Sequence, residues 1–188
     1  RVAGHVGVAG RVHLAPLDNT AALAAAFDRC DTVIHTAALI DIRRGHKKAM
    51  VSTNVEGTKN VLEACRMTGV RRLVYISSIE AMELGSSFRP VREDIGFSDD
   101  SAFMEYGDTK AEASRMVAAA GHAGGMETIL LCPTAVIGPW DYHGGLFTKM
   151  IRKFLDKGVP AVISGGFDFV DVRDVAAAAL AAVNKGRT

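Results

Sequence analysis

Tyr106 and Lys110 stand four residues apart in the segment Tyr106-Gly-Asp-Thr-Lys110. On a helix that spacing puts both side chains on one face. An ammonium there favours the phenolate and lowers the phenol's pKa. Upstream, the strand-like run Arg72-Leu-Val-Tyr-Ile-Ser-Ser78 ends in two hydroxyls. A serine delivered by a strand end can hold the oxygen that gains or loses a proton. General acid/base, pKa tuner and orienting donor are what a proton-coupled hydride transfer requires. Tyr-x-x-x-Lys alone occurs on many solvated helix surfaces. The serine pair and the flanking pattern make the catalytic reading the stronger one.

The elements that must position these groups can be read along the chain. Arg11-Val-His-Leu14 is a short strand candidate, and Asn19 or Thr20 caps a helix over 21–29, with Leu23 and Phe27 on one face. Thr32-Val-Ile-His-Thr-Ala37 is apolar toward both faces, as in a parallel sheet covered on each side. A long helix is expected over 46–68, closed by Gly69 as a C-cap glycine. A strand over 73–77 follows, then an irregular stretch over 81–103 that contains Pro90 and is long enough to be a functional loop. Next come a helix over 104–120, a glycine-rich break at 121–125, and the strand Thr128-Ile-Leu-Leu-Cys132, stopped by Pro133. A helix near 146–156, short strands around 161–163 and 167–170, and a last helix opened by Asp171 or Asp174 complete the pattern. Strand–helix alternation of this kind predicts an α/β fold with a doubly wound parallel sheet.

Composition narrows the partners. The chain's 188 residues fit a single domain, 1–188. A net charge of +1 with 6% aromatic residues supplies neither a basic stripe nor a stacking platform, so nucleic acid is not an expected partner. No apolar run is long enough to cross a bilayer, and no membrane association is expected. Cys30, Cys65 and Cys132 lack metal or disulfide spacing and read as buried thiols of a cytoplasmic protein. The six histidines show no ligand spacing, so no metal is expected, and His35 reads as a core or near-cofactor residue. Trp140 and Tyr142 either contact substrate or cover an apolar edge. Asp168, Asp171 and Asp174 cap or flank the last helix. Gly4-His-Val-Gly7-Val-Ala-Gly10 has the glycine spacing of a dinucleotide-binding loop. Such a loop follows a buried strand and opens a helix, whereas strand-like sequence follows here. It is read as a flexible loop.

Several segments, taken together and in order, resemble the extended short-chain dehydrogenases/reductases, also called the NAD-dependent epimerase/dehydratase family. They are Asp31-Thr-Val-Ile-His-Thr-Ala-Ala38, Asn54-Val-Glu-Gly-Thr58 with Val61-Leu-Glu-Ala-Cys65, and Val74-Tyr-Ile-Ser-Ser-Ile-Glu80. Tyr106 to Lys110, Cys132-Pro-Thr-Ala-Val-Ile-Gly-Pro139 and Phe167-Asp-Phe-Val-Asp-Val-Arg-Asp-Val175 extend the likeness through nearly the whole chain. Ser-Ser-Ile-Glu and the upstream His-Thr-Ala-Ala-Leu-Ile-Asp41 are most similar to the 3β-hydroxysteroid dehydrogenase and dihydroflavonol reductase branch.

The resemblance implies a Rossmann-like fold and NAD or NADP as cofactor. It implies Ser78 as the group that binds the reacting oxygen and Tyr106 as proton donor or acceptor. Lys110 would bind the nicotinamide ribose. Thr36, Ala37 and Ala38 would lie along the dinucleotide, Asn54 near the active site, and the Pro133–Thr134 backbone near the nicotinamide. Residues 81–103 and 138–170 would form the substrate side, and the helices at 46–68 and 104–120 a homodimer interface. Two departures stand out: Ala15-Pro16-Leu17 replaces the Gly-Asp-Leu whose carboxylate lies near the adenine, and the family's first strand, glycine loop, first helix and second strand are missing upstream. The chain is therefore expected to be a fragment with a truncated substrate-binding cap.

The implied activity is an NAD(P)-dependent interconversion of a secondary alcohol and a ketone on a small-molecule substrate. A nucleotide-sugar epimerase using the same Ser-Tyr-Lys set, and a non-catalytic dinucleotide-binding relative, are the alternatives. A sugar dehydratase is disfavoured because Ile79 occupies the first position of that branch's acidic pair, leaving only Glu80.

Overall fold

The computed structural model describes residues 10–41, 46–83, 90–99, 105–158 and 166–186. Helices α1 (Thr20–Phe27), α2 (Lys47–Met50), α3 (Gly57–Thr68), α4 (Glu105–His122), α5 (Leu146–Lys157) and α6 (Val172–Lys185) alternate with strands β1 (Thr32–His35), β2 (Arg72–Ile76), β3 (Glu127–Leu131), β4 (Ala135–Ile137) and β5 (Phe169–Asp171). The first three strands form a parallel sheet in the order β1-β2-β3, and β4 and β5 form a parallel pair.

Strand alternation sends successive side chains to opposite faces. Leu73 and Tyr75 of β2 join Val33, Val61, Ala64, Cys65, Ala113 and Val117 in the core beneath α3 and α4. Val74 packs the other way, with Ile129, Ala179 and Ala182 of β3 and α6. Helices thus cover both faces, the doubly wound arrangement expected from two-sided apolar strands. Burying each such Leu or Val contributes about 1.5–3 kcal/mol. Arg72 clasps the second layer in place: its guanidinium donates to the Ala182 carbonyl at 2.9 Å and to Glu127 Oε2 at 2.7 Å. The cation meets the negative end of α6.

Several boundaries follow local chemistry. Asn19 caps α1, its Oδ1 accepting from the Ala22 N–H at 2.9 Å. The helix stops at Phe27, short of Arg29, whose φ is 60°. Gly69 adopts φ 69° at the end of α3, the left-handed conformation a C-cap glycine supplies. The expected helix over 46–68 is continuous but contains one wide π-helical turn, Val51–Glu56. Helix α4 runs to His122, two residues into the expected break.

Two expectations differ from the structure or lie outside it. Residues 11–14 form no strand, and Val12 and Leu14 are exposed. No described strand lies alongside to complete a ladder, which an isolated extended segment requires. The strand expected at 161–163, and Gly4 and Gly7 of the glycine motif, lie outside the described residues. Phe169–Asp171, expected near 167–170, pairs with β4, and Gly138 lets the two strands' ends approach: its φ is 141°, and a Cβ there would lie 2.7 Å from a Val172 methyl.

Candidate active site

Three segments meet at the carboxyl ends of the parallel strands: residues 36–41 after β1, 77–81 after β2 and 132–134 after β3. The last two are stitched together, with the Ser77 N–H donating to the Leu131 carbonyl at 2.7 Å and the Ile79 N–H to the Pro133 carbonyl at 3.0 Å. Helix α4 lies over this edge and brings Tyr106 and Lys110 to it.

The two serines have different surroundings. Ser77 turns into the core, its hydroxyl 2.6 Å from that of Ser114 on α4. Ser78 is half-buried and caps a short 3-10 turn, Ile79–Ala81, by accepting from the Glu80 N–H at 3.2 Å. Its hydroxyl also acts on the Tyr106 phenol, favouring the phenolate. Tyr106 itself is 8% exposed in the first turn of α4.

The phenol does not have the lowered pKa expected from a neighbouring ammonium. Burial pushes it up to about 12, the negative charge of Glu80 adds to the rise, and the Ser78 hydrogen bond only partly offsets them. Lys110, 1% exposed, donates to the Tyr75 hydroxyl at 2.6 Å and to the Ile76 carbonyl at 2.8 Å. Burial brings its ammonium down to about 8. Ser78, Tyr106 and Lys110 lie at one edge of the sheet, with Lys110 held by Tyr75 and the Ile76 carbonyl.

Asn54 sits in the π-helical turn and is 1% exposed. Its amide holds the segment after β1, accepting from the Leu39 N–H at 2.7 Å and donating to the Leu39 carbonyl at 3.0 Å. It also donates to Thr109 Oγ1 at 3.0 Å, and Thr109 in turn donates to the Tyr106 carbonyl at 2.8 Å. Asn54 therefore ties the open segment after β1 to the turn that carries the phenol. The wide turn aims this amide inward, where a regular helix would rotate it.

Two further groups belong to the site. Glu80 is half-buried; its Oε2 has no hydrogen-bond partner among the described residues, and burial pushes its carboxyl up. Tyr75, absent from the expected set, holds Lys110. A polar-tipped aromatic in an otherwise apolar strand was the available signal for it.

The residues present fit a dinucleotide. Thr36, Ala37 and Ala38 are exposed and carry nothing larger than a hydroxyl or methyl group, so a ligand can approach their backbone closely. Pro133 and Thr134 are half-buried beside them at the next strand end but one. Only two of the three ammonium hydrogens of Lys110 have acceptors among the described residues. Open α/β sheets bind ligands at this carboxyl edge. Among the described residues no group of histidines, cysteines and carboxylates could hold a metal ion.

A parallel sheet wound on both faces, with a hydroxyl, a phenol and an ammonium gathered at its carboxyl edge, defines a Rossmann-like domain. The profile of the NAD dependent epimerase/dehydratase family matches residues 2–188, and the chain belongs to that family. It is 32% identical over 169 residues to sterol demethylase protein B of Methylococcus capsulatus, covering 86% of this chain and 48% of that protein. It is 33% identical over 148 residues to a 3 beta-hydroxysteroid dehydrogenase/Delta 5-->4-isomerase of Mycobacterium tuberculosis, covering 76% of this chain and 39% of the relative. The crystal structure of gox2253 superposes with a TM-score of 0.86 at 26% identity, covering 95% of this chain and 54% of that one. The chain thus spans about half the length of the relatives it matches. The family is named for its dependence on NAD.

Proposed function

We propose that the complete protein is an NAD(P)-dependent oxidoreductase that interconverts a secondary alcohol and a ketone on a small-molecule substrate. The observation that carries this reading is the Ser78 hydroxyl acting on the buried Tyr106 phenol, with the Lys110 ammonium one helical turn on. The nicotinamide, when bound, accepts or supplies the hydride. Tyr106 exchanges the proton at the substrate oxygen through its phenol Oη. Ser78 Oγ orients that oxygen, and burial of both groups excludes water from the exchange. Lys110 holds the ribose with its remaining N–H and places a positive charge near the phenolate that forms in one direction of the reaction. Thr36, Ala37, Ala38, Pro133 and Thr134 line the dinucleotide, and Asn54 keeps the first three in register with Tyr106. Residues 81–103 and 138–170 form the substrate side.

The relatives named as a sterol demethylase component and a hydroxysteroid dehydrogenase support net oxidation or reduction over epimerisation. The complete protein, supplied with NAD or NADP and a panel of secondary alcohols, is expected to accumulate reduced cofactor. Inversion of a sugar nucleotide with no net cofactor reduction would make it an epimerase. Failure to bind either dinucleotide in a calorimetric titration would leave a non-catalytic relative.

A homodimer through the outer faces of the helices at 46–68 and 104–120 accompanies this reading, as does a cytoplasmic setting, which the free thiols of Cys30, Cys65 and Cys132 fit. Among the described residues no helix is long and apolar enough to cross a membrane.

A further inference from the structure

From Lys110 a chain of polar side chains runs into an otherwise apolar interior. The ammonium lies 2.6 Å from the Tyr75 hydroxyl, the Thr58 hydroxyl acts on that phenol, and Thr58 Oγ1 lies 3.0 Å from His35 Nε2. All four residues are at most 4% exposed. The rings of Tyr75 and His35 pack at 5.3 Å, and the ammonium stands 4.2 Å from the Tyr75 ring centre.

The charged end fixes the direction of the first bond. An ammonium can only donate, so the Tyr75 oxygen accepts. Thr58 Oγ1 and His35 Nε2 share one hydrogen bond, and the imidazole tautomer sets which of them donates.

We infer that Tyr75 is a positioning residue for the proposed reaction: locked by Thr58 and His35, its hydroxyl holds the charged Lys110 side chain against β2, with the Ile76 carbonyl as second anchor, and leaves one N–H for the ligand. This rests on the role given to Lys110 above. A proton relay from Lys110 to His35 is the competing use of the same chain, and magnitudes decide between them. Burial, then the Lys110 charge, bring His35 down to about 4, whereas burial, opposed by Cys132, leaves Lys110 at about 8. Passing the proton inward is therefore uphill. The chain orients and does not conduct.

The titratable groups around the ammonium are Tyr75 on β2, His35 on β1, Cys132 after β3, and Tyr106 on its own helix, with Glu80 acting on Tyr106. None but Tyr75 donates to or accepts from Lys110.

The test uses the complete protein with isotope-labelled lysines, following the Lys110 titration by NMR and assigning it by its loss in Lys110→Arg. Tyr75→Phe keeps the ring and removes one acceptor of the charged form, so the Lys110 midpoint is expected to fall by about one unit. The alkaline limb of kcat should move to lower pH by the same amount, with kcat at its optimum reduced about 10-fold. Thr58→Val should shift the midpoint in the same direction and add little to Tyr75→Phe in the double variant, since it acts through that hydroxyl. Thr58→Ser, which keeps the hydroxyl, should restore the original midpoint. A midpoint unmoved by Tyr75→Phe, or a Thr58→Val effect that adds in full, overturns the inference. Should Tyr75→Phe not fold, the Val and Ser variants at position 58 decide alone. Because the lysine titration needs no turnover, a shifted midpoint beside an active Tyr106→Phe enzyme removes the proposed reaction and leaves the anchoring. An unmoved midpoint beside an inactive one removes only the anchoring.

Discussion

Burial governs the ionisation of every side chain at the centre of this site, and its direction differs by residue type. It raises the phenol of Tyr106 to about 12 and lowers Lys110 to about 8 and His35 to about 4. For His35 the consequence is a stability change with a defined sign. Between about 6.5 and about 4 the unfolded chain takes up the proton while the folded imidazole remains neutral, so stability falls as pH falls through that window. Such a shift corresponds to ~3 kcal/mol when the window is fully crossed. Denaturant unfolding at pH values across it should show this loss, and His35→Gln should flatten the dependence; an identical slope in the variant would assign the loss to other groups. Tyr106, Lys110 and Ser78 were legible in the sequence because helical spacing and a strand end suffice to bring them together. The hold of Tyr75 on Lys110 was not, since it joins residues 35 positions apart and exists only once α4 packs on β2.

At the scale of elements, the wide turn at Val51–Glu56 is the piece that sequence periodicity could not announce. Apolar spacing over 46–68 reports a helix, but the register change that turns Asn54 inward leaves no mark in residue type. Asn54→Ala removes one acceptor and two donor bonds and leaves Leu39 and Thr109 short of partners. A loss of about 1–3 kcal/mol is expected for buried groups left in this way. Dinucleotide affinity should weaken with it, because Thr36 to Ala38 precede the clamped residue; unchanged affinity would show that the clamp does not shape that segment. Gly69→Ala offers a contrast remote from the site. It forces a side chain into φ 69°, which should cost about 1 kcal/mol in thermal unfolding while leaving cofactor affinity alone. The strand expected at 11–14 fails for the complementary reason: alternating apolar residues specify a strand only when a neighbour completes the ladder.

Over the whole molecule, alternation of strands and helices was enough to foresee a parallel sheet covered on both faces. The β1-β2-β3 order and the layers formed by α3, α4 and α6 agree with it. What the alternation could not convey was the separation of β4 and β5 into their own pair, which depends on Gly138 allowing a close approach. The helices expected to form a dimer carry mostly exposed charged pairs on their outer faces, such as Arg66 with Glu63 at 2.7 Å. Light scattering of the complete protein should give twice the subunit mass, and a monomer at every concentration would remove the dimer. The account as a whole depends on Tyr106 exchanging the substrate's proton. Tyr106→Phe in the complete protein, assayed for turnover alongside NADH and NADPH binding, is therefore the most direct measurement. A loss of ~10²–10⁴-fold in kcat with dinucleotide affinity nearly unchanged is the expected result; turnover retained at a level comparable to the unaltered enzyme would contradict it.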